Sequence, residues 1–306
     1  MPPLRTRAFI AATLLAAACA PHPVAWSEQT SFAGGLPDEA VLAFGADDSV
    51  RVERAAPAGG VSPAPAGCPG SVRRARAAGG ATYAAWWRAR ADSSAELLVA
   101  RSDDGGATWS AASVAESRDR SPLGCARPEP GVAVDSASGT VHVAYWATLA
   151  DGPGVFFTHA TSARGVGAPV LPPEHLAHMG APAGDSAGAH GGHAAPDVLW
   201  HAPVAVVHGE RPSRAAVAVR GDTVAVAFED PNSGPRPRIA LALSRQMGHL
   251  FDARDHEVSG GDVAAERPLV ALRGGAVAVA WREEGRPDAL AVRVGRIDWR
   301  SAAGSE

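Results

Sequence analysis

The chain has 306 residues, with 28 Lys and Arg against 32 Asp and Glu, a net charge of −4 and a pI near 6.3. That balance leaves no cationic excess to hold a phosphate backbone, which excludes nucleic acid as a partner. Gly (34) and Pro (25) are abundant, which favours many short strands and turns over long helices.

Arg5 and Arg7 precede an apolar run, Ala8 to Ala18, broken only by Thr13. The run is shorter than the roughly 20 residues that span a bilayer, so residues 1–18 read as an export signal. Leu15-Ala16-Ala17-Ala18-Cys19 resembles a bacterial lipoprotein box, with Ala16 standing where that family prefers Leu. The resemblance implies a lipid on Cys19, with the membrane as a partner through that lipid. The implied location is the cell envelope: the outer membrane or the periplasmic side in a Gram-negative cell. Residues 19–35 read as a tether. Ala40 to Phe44 and Ser49 to Val52 read as short strands, and residues 55–67 as an Ala/Pro/Gly-rich linker. Cys68 and Cys125 then remain, each just ahead of a repeat unit. An oxidising compartment makes a disulfide between them the expectation, with two free thiols as the alternative.

Self-similarity organises the rest. Val217 to Phe228 and Val270 to Trp281 agree at eight of twelve positions. Each reads as a strand, a tight Arg-Gly turn and a second strand ending in an aromatic. Looser copies run from Val132 to Tyr145 and from Ala75 to Trp86. A third strand follows three of the copies (Leu97 to Ala100, Val155 to Thr158 and Ile239 to Leu243), and then a polar octet, of which the Tyr145 copy keeps only Thr161 and Gly165. After the Ala75 copy this octet is Ser102-Asp103-Asp104-Gly105-Gly106-Ala107-Thr108-Trp109; after Phe228 it is Ser244 to Phe251, with Gln246 in place of Asp104.

The first octet matches the Asp-box, S-x-D-x-G-x-T-W, so residues 70–295 resemble the sialidase-like (BNR-repeat) β-propellers. The resemblance implies an all-β fold of four-stranded antiparallel blades over residues 36–306, with a His-rich insertion near 172–209. Four units are visible, near 70–118, 125–172, 212–262 and 264–300. Two more, from residues 36–56 and from Asp197 to His208, bring the expected count to six blades of roughly 48 residues, with five as the alternative. Ser102, Asp104, Gly106, Thr108 and Trp109 are expected to be structural, because a turn carboxylate accepts backbone N–H groups without needing a substrate.

In such a meander the 1–2 and 3–4 turns share one face, and the 2–3 and 4–1 loops share the other. Arg214 and Arg267 occupy equivalent places on the second face, each three residues before a repeated strand, and Arg127 lies in a similar loop out of register. Glu229-Asp230 and Glu283-Glu284 follow the second strands. The arginine forks suit a carboxylate, sulfate or phosphate; equally, they suit these acids in rim salt bridges. Sialidases use an arginine triad, an aspartate acid and a tyrosine–glutamate nucleophile. The only tyrosines here, Tyr83 and Tyr145, fall inside expected second strands, and the family's Arg-Ile-Pro motif is absent. The resemblance thus implies a scaffold more than its chemistry.

His175, His178, Met179, His190 and His193 concentrate in one Gly/Ala/Pro-rich stretch, with His201 and His208 following. Imidazole and thioether suit copper or zinc, and an incidental solvated insertion is the other reading. The sequence therefore points to an envelope-anchored, non-catalytic module that binds a glycan, an anionic ligand or an envelope protein. A glycoside hydrolase and a copper- or zinc-binding protein are the alternatives.

Overall fold

A computed structural model of the chain describes residues 24–33, 40–47, 49–54, 67–135, 137–162, 198–252 and 256–299. It is all-β, with one short 3-10 turn at Gly124–Ala126 and no α-helix among the described residues. Among the described residues no helix is long and apolar enough to cross a membrane.

Five antiparallel sheets account for the strands. The first is the hairpin β3 (Ala40–Phe44) and β4 (Val50–Arg54). The second is the meander β5 (Arg73–Arg76), β6 (Thr82–Ala89), β7 (Ala95–Ser102) and β8 (Ser113–Glu116). The third runs through β9 (Gly131–Val134), β10 (Val141–Leu149) and β11 (Gly152–Ser162). Its outer position is shared by β12 (Val198–Trp200) and β13 (Val204–His208), both paired with β11. The fourth is β14 (Ala215–Arg220), β15 (Thr223–Glu229), β16 (Ile239–Ser244) and β17 (His256–Glu257). The fifth is β18 (Ala265–Arg273), β19 (Ala276–Glu283) and β20 (Ala289–Ile297), completed from the other end of the chain by β1 (Val24–Trp26) and β2 (Thr30–Ala33).

The first strands converge. β3 packs beside β18, β18 beside β14, β14 beside β9 and β9 beside β5. All five line one central cavity of about 1230 Å³, the arrangement of propeller blades around a channel. Gly131 permits the closest of these approaches: a Cβ there would stand 2.6 Å from the Ala215 carbonyl oxygen, so a side chain would push β9 away from β14.

The second strands explain why the blades stack. β6, β10, β15 and β19 alternate small and large apolar residues, and nearly every position is buried. A strand covered on both faces reads as a continuous apolar run. The cores therefore lie between blades. Trp87 and Tyr145 meet edge to face, 5.8 Å apart, where the second and third sheets pack. Phe157 and Phe228 fill the next interface, and Leu241 and Trp281 the one after it.

Two expectations change. The described residues form five sheets, not six, because the strands at 198–208 complete the third blade as its outer edge. Residues 24–33, expected to lie in the tether, instead form the outer strands of the last blade. The pairing of Cys68 with Cys125 is as expected. Cys68 leads into the second blade and Cys125 lies in the connection leaving it, so the bridge ties that blade's beginning to its end. Its cysteines are 57 residues apart, and loop-closure entropy for that length amounts to about 4 kcal/mol in the unfolded chain. Replacing both with Ala is expected to lower unfolding stability by about 2–4 kcal/mol, read as a lower urea midpoint.

Candidate functional site

The Asp-box turn is built from its own side chains. Asp104 Oδ1 accepts from the Thr108 N–H at 2.9 Å and Oδ2 from the Thr108 hydroxyl at 2.6 Å. Ser102 Oγ donates to Asp104 at 2.7 Å and accepts from the Gly106 N–H at 2.7 Å. These bonds, the Thr108 hydroxyl first, hold the Asp104 carboxyl far below the usual carboxylate range. With every oxygen committed to its own turn, Asp104 is a structural residue on the face away from the 2–3 and 4–1 loops.

The opposite face carries the channel mouth. There an alternating chain of charges passes from blade to blade. Arg73, at the start of β5, reaches Glu129 at 2.6 Å. Glu129, just before β9, also takes Arg214 at 3.0 Å, and Arg214 reaches Glu229 at 3.4 Å. Glu229, at the end of β15, accepts from the backbone N–H groups of Arg214 (3.1 Å) and Arg267 (3.0 Å). Burial opposes ionisation of Glu129, but the charges of Arg73 and Arg214 outweigh it and hold the carboxyl below its ordinary value. Burial likewise works against the Arg214 cation, and Glu129 and Glu229 more than offset it.

Arg267 is different. Its φ is +56°, a left-handed conformation that costs a non-glycine residue of order 1 kcal/mol and persists only where surroundings impose it. The Glu229 carboxylate, which accepts the Arg267 N–H, holds the backbone there. Its guanidinium makes no hydrogen bond or ion pair with any described residue, and it lines the channel. Six more arginines (Arg73, Arg74, Arg76, Arg214, Arg220 and Arg273) line the same channel, against Glu53 and Glu129. The cavity is strongly cationic inside a chain whose net charge is negative.

The other residues singled out in the sequence fall elsewhere. Arg127 is a buried strut: it pairs with Asp119 at 2.5 Å, donates to the carbonyls of Gly124 (2.6 Å) and Ser121, and lies over the Trp87 ring. That corrects its expected place at the site, since all three guanidinium nitrogens are held by Asp119 and by backbone carbonyls. Asp230 caps its own turn through the Asn232 N–H at 2.9 Å and is not in the channel. Glu283 and Glu284 lie in a separate groove with Arg282 and Glu266, and Glu283 holds Gln29 and Arg286. Sequence reasoning missed Glu129, although it sits three residues before Val132, the register that singled out Arg214 and Arg267. His175, His178, Met179, His190 and His193 lie outside the described residues, as does Cys19. His201 is stacked on His159 in the third blade, with His249 of the fourth beside them.

No family model matches the chain, and no curated protein matches it. Among solved structures, it is similar to the Hadza microbial sialidase Hz136, at 15% identity and a TM-score of 0.41, over 70% of this chain and 42% of that one. It is also similar to Trypanosoma rangeli sialidase in complex with the inhibitor DANA, at 12% identity and a TM-score of 0.42, over 84% of this chain and 40% of that one. A protein of unknown function from Dyadobacter fermentans aligns at 16% identity and a TM-score of 0.41, over 89% of this chain and 70% of that one. The chain spans about two fifths of the length of the two sialidases. The propeller assignment stands on the strand pairing given above.

Removing the Glu229 carboxylate by Glu229→Ala strips the acceptor from two backbone donors at a nearly buried position. The expected cost is about 1–3 kcal/mol, read from urea unfolding. Glu129 gives a pH signature. Its folded pKa lies below the unfolded value of 4.5, so its stabilisation is complete above that value and is lost as pH falls through the lower folded pKa. The urea midpoint between about pH 6 and 3 should fall less steeply in Glu129→Gln than in the unaltered protein.

Proposed function

We propose that this chain is a non-catalytic binding module whose channel mouth receives a carboxylate- or sulfate-bearing ligand, an acidic glycan above all, at the cell envelope. The observation that carries the reading is Arg267. Its guanidinium is uncommitted, its backbone is held in a costly conformation, and it faces a cavity lined by seven arginines and two glutamates. A planar fork with free donors matches the two oxygens of a carboxylate, and a concave cationic wall raises local anion concentration. Arg214 is already neutralised by Glu129 and Glu229, so it positions the rim, while Arg267 makes the contact.

A binding role is favoured over glycoside hydrolysis by the two tyrosines. Tyr83 is 2% exposed and Tyr145 0% exposed. Tyr145 does contact a glutamate, Glu116, at 3.1 Å, but burial and that carboxylate push its hydroxyl well above the ordinary value, and the pair is sealed between blades. Neither ring is placed to attack a bound sugar. The envelope location rests on the lipoprotein-like residues ending at Cys19.

Sialyllactose and lactose distinguish the readings by calorimetry. The acidic sugar should bind more tightly, with an affinity that falls as salt rises, and Arg267→Ala should weaken it about tenfold or more, or about 1.4 kcal/mol. Equal binding of both sugars, or an unaffected Arg267→Ala, would remove the proposed contact. Turnover of aryl-glycosides would move the protein to the enzymes.

A further inference from the structure

On the Asp-box face, away from the channel mouth, two blades bring three histidines together. We infer that His159, His201 and His249 form a binding site for a divalent transition-metal ion, with zinc as the reference ion.

Each histidine is placed by a separate piece of backbone. His159 sits near the end of β11, and His201 follows β12. The two segments are tied by the His201 N–H donating to the His159 carbonyl at 3.0 Å and by the Thr158 hydroxyl donating to the His201 carbonyl at 2.8 Å. His249 comes from the next blade, in the turn from Ser244 to Phe251. That turn repeats the Asp-box geometry without its aspartate. Ser244 Oγ accepts from the Gln246 and Gly248 N–H groups, both at 3.1 Å, and Met247 and Gly248 take positive φ as Gly105 and Gly106 do. A Cβ on Gly248 would lie 2.0 Å from the Phe157 ring. Glycine there lets the turn press against β11 and brings His249 beside His159.

One ring nitrogen from each histidine lies within 4.8 Å of the other two. Tetrahedral zinc bonds imidazole at about 2.0–2.1 Å, which spaces its ligand nitrogens about 3.4 Å apart. Side-chain rotations of about an ångström therefore close the site. His159 is buried, and His201 and His249 are half-buried, so the ligands are backed by protein yet open to entry. Behind them stands His142, directly across the strand pair from His159, with both ring nitrogens buried and no hydrogen-bond partner. An imidazole cluster beside the Phe157 ring suits a borderline ion such as Zn²⁺, Cu²⁺ or Ni²⁺ over Mg²⁺ or Ca²⁺. Three protein ligands leave a fourth position for water or an exogenous donor. Of the residues in the region near 172–209 that the sequence singled out, the site uses His201, while His175, His178, Met179, His190 and His193 lie outside the described residues.

The test is calorimetric titration of the full chain, prepared without a histidine tag, with zinc chloride. One saturable equivalent is expected. His201→Ala and His249→Ala, both at half-buried positions that tolerate truncation, should each weaken it about 100-fold. A variant with His175, His178, His190 and His193 all changed to Ala should bind as the unaltered chain does. Cobalt(II) should report the same site by a visible absorption band that His249→Ala abolishes. No saturable zinc uptake by the full chain, full affinity in His249→Ala, or loss of the site in the fourfold variant would each overturn the assignment.

Discussion

Bilateral burial of the second strands is the constraint on which the molecule depends. A hairpin such as β14–β15 has two apolar faces and no water-facing side near its middle, so it cannot be stable alone. Stacking each blade on a neighbour buries both faces at once, as the cores shared by the second and third, third and fourth, fourth and fifth, and fifth and first sheets show. Alanine alternating with aromatics suits this geometry. Ala84, Ala85, Ala144, Ala227 and Ala280 let adjacent sheets approach, while Trp87, Tyr145, Phe228 and Trp281 fill the widening space between them.

The ring then places chemistry at its two faces. At the channel mouth the first strands begin side by side, and charges that are distant in sequence become neighbours. Arg73, Glu129, Arg214 and Glu229 spend most of their electrostatics on one another. Their shared consequence is the orientation of Arg267, which is the single rim cation among the described residues given a strained backbone. On the other face the 3–4 turns carry the Asp-box. Its degenerate copy after β16 keeps the serine and the glycine with Gln246 at the aspartate position, so His249 sits in a turn held by Ser244.

Local patterns were legible in the sequence and non-local ones were not. The Arg-Gly turns appear as read: Arg220 pairs with Thr223, and Arg273 with Ala276, across each hairpin. Asp104 bonds within its own turn, and Arg214 and Arg267 both line the channel. Each of these depends on residues within a few positions of one another or on the repeat register. Arg127 was misplaced because nothing local announces that Asp119 and Trp87 will enclose it. β13 looks like any other strand in the sequence, and only its pairing with β11 makes it an outer edge of the third sheet. The histidine pair His142 and His159 was invisible because it forms across two strands whose sequence reads simply as core.

The seam of the ring has a kinetic meaning. Val24 pairs with Ile297, so the first described strand and the last are neighbours in space at nearly the full length of the chain. The fifth blade gains its outer strands only once β20 has been made. Such extreme sequence separation makes the closing step costly in chain entropy and slow to nucleate.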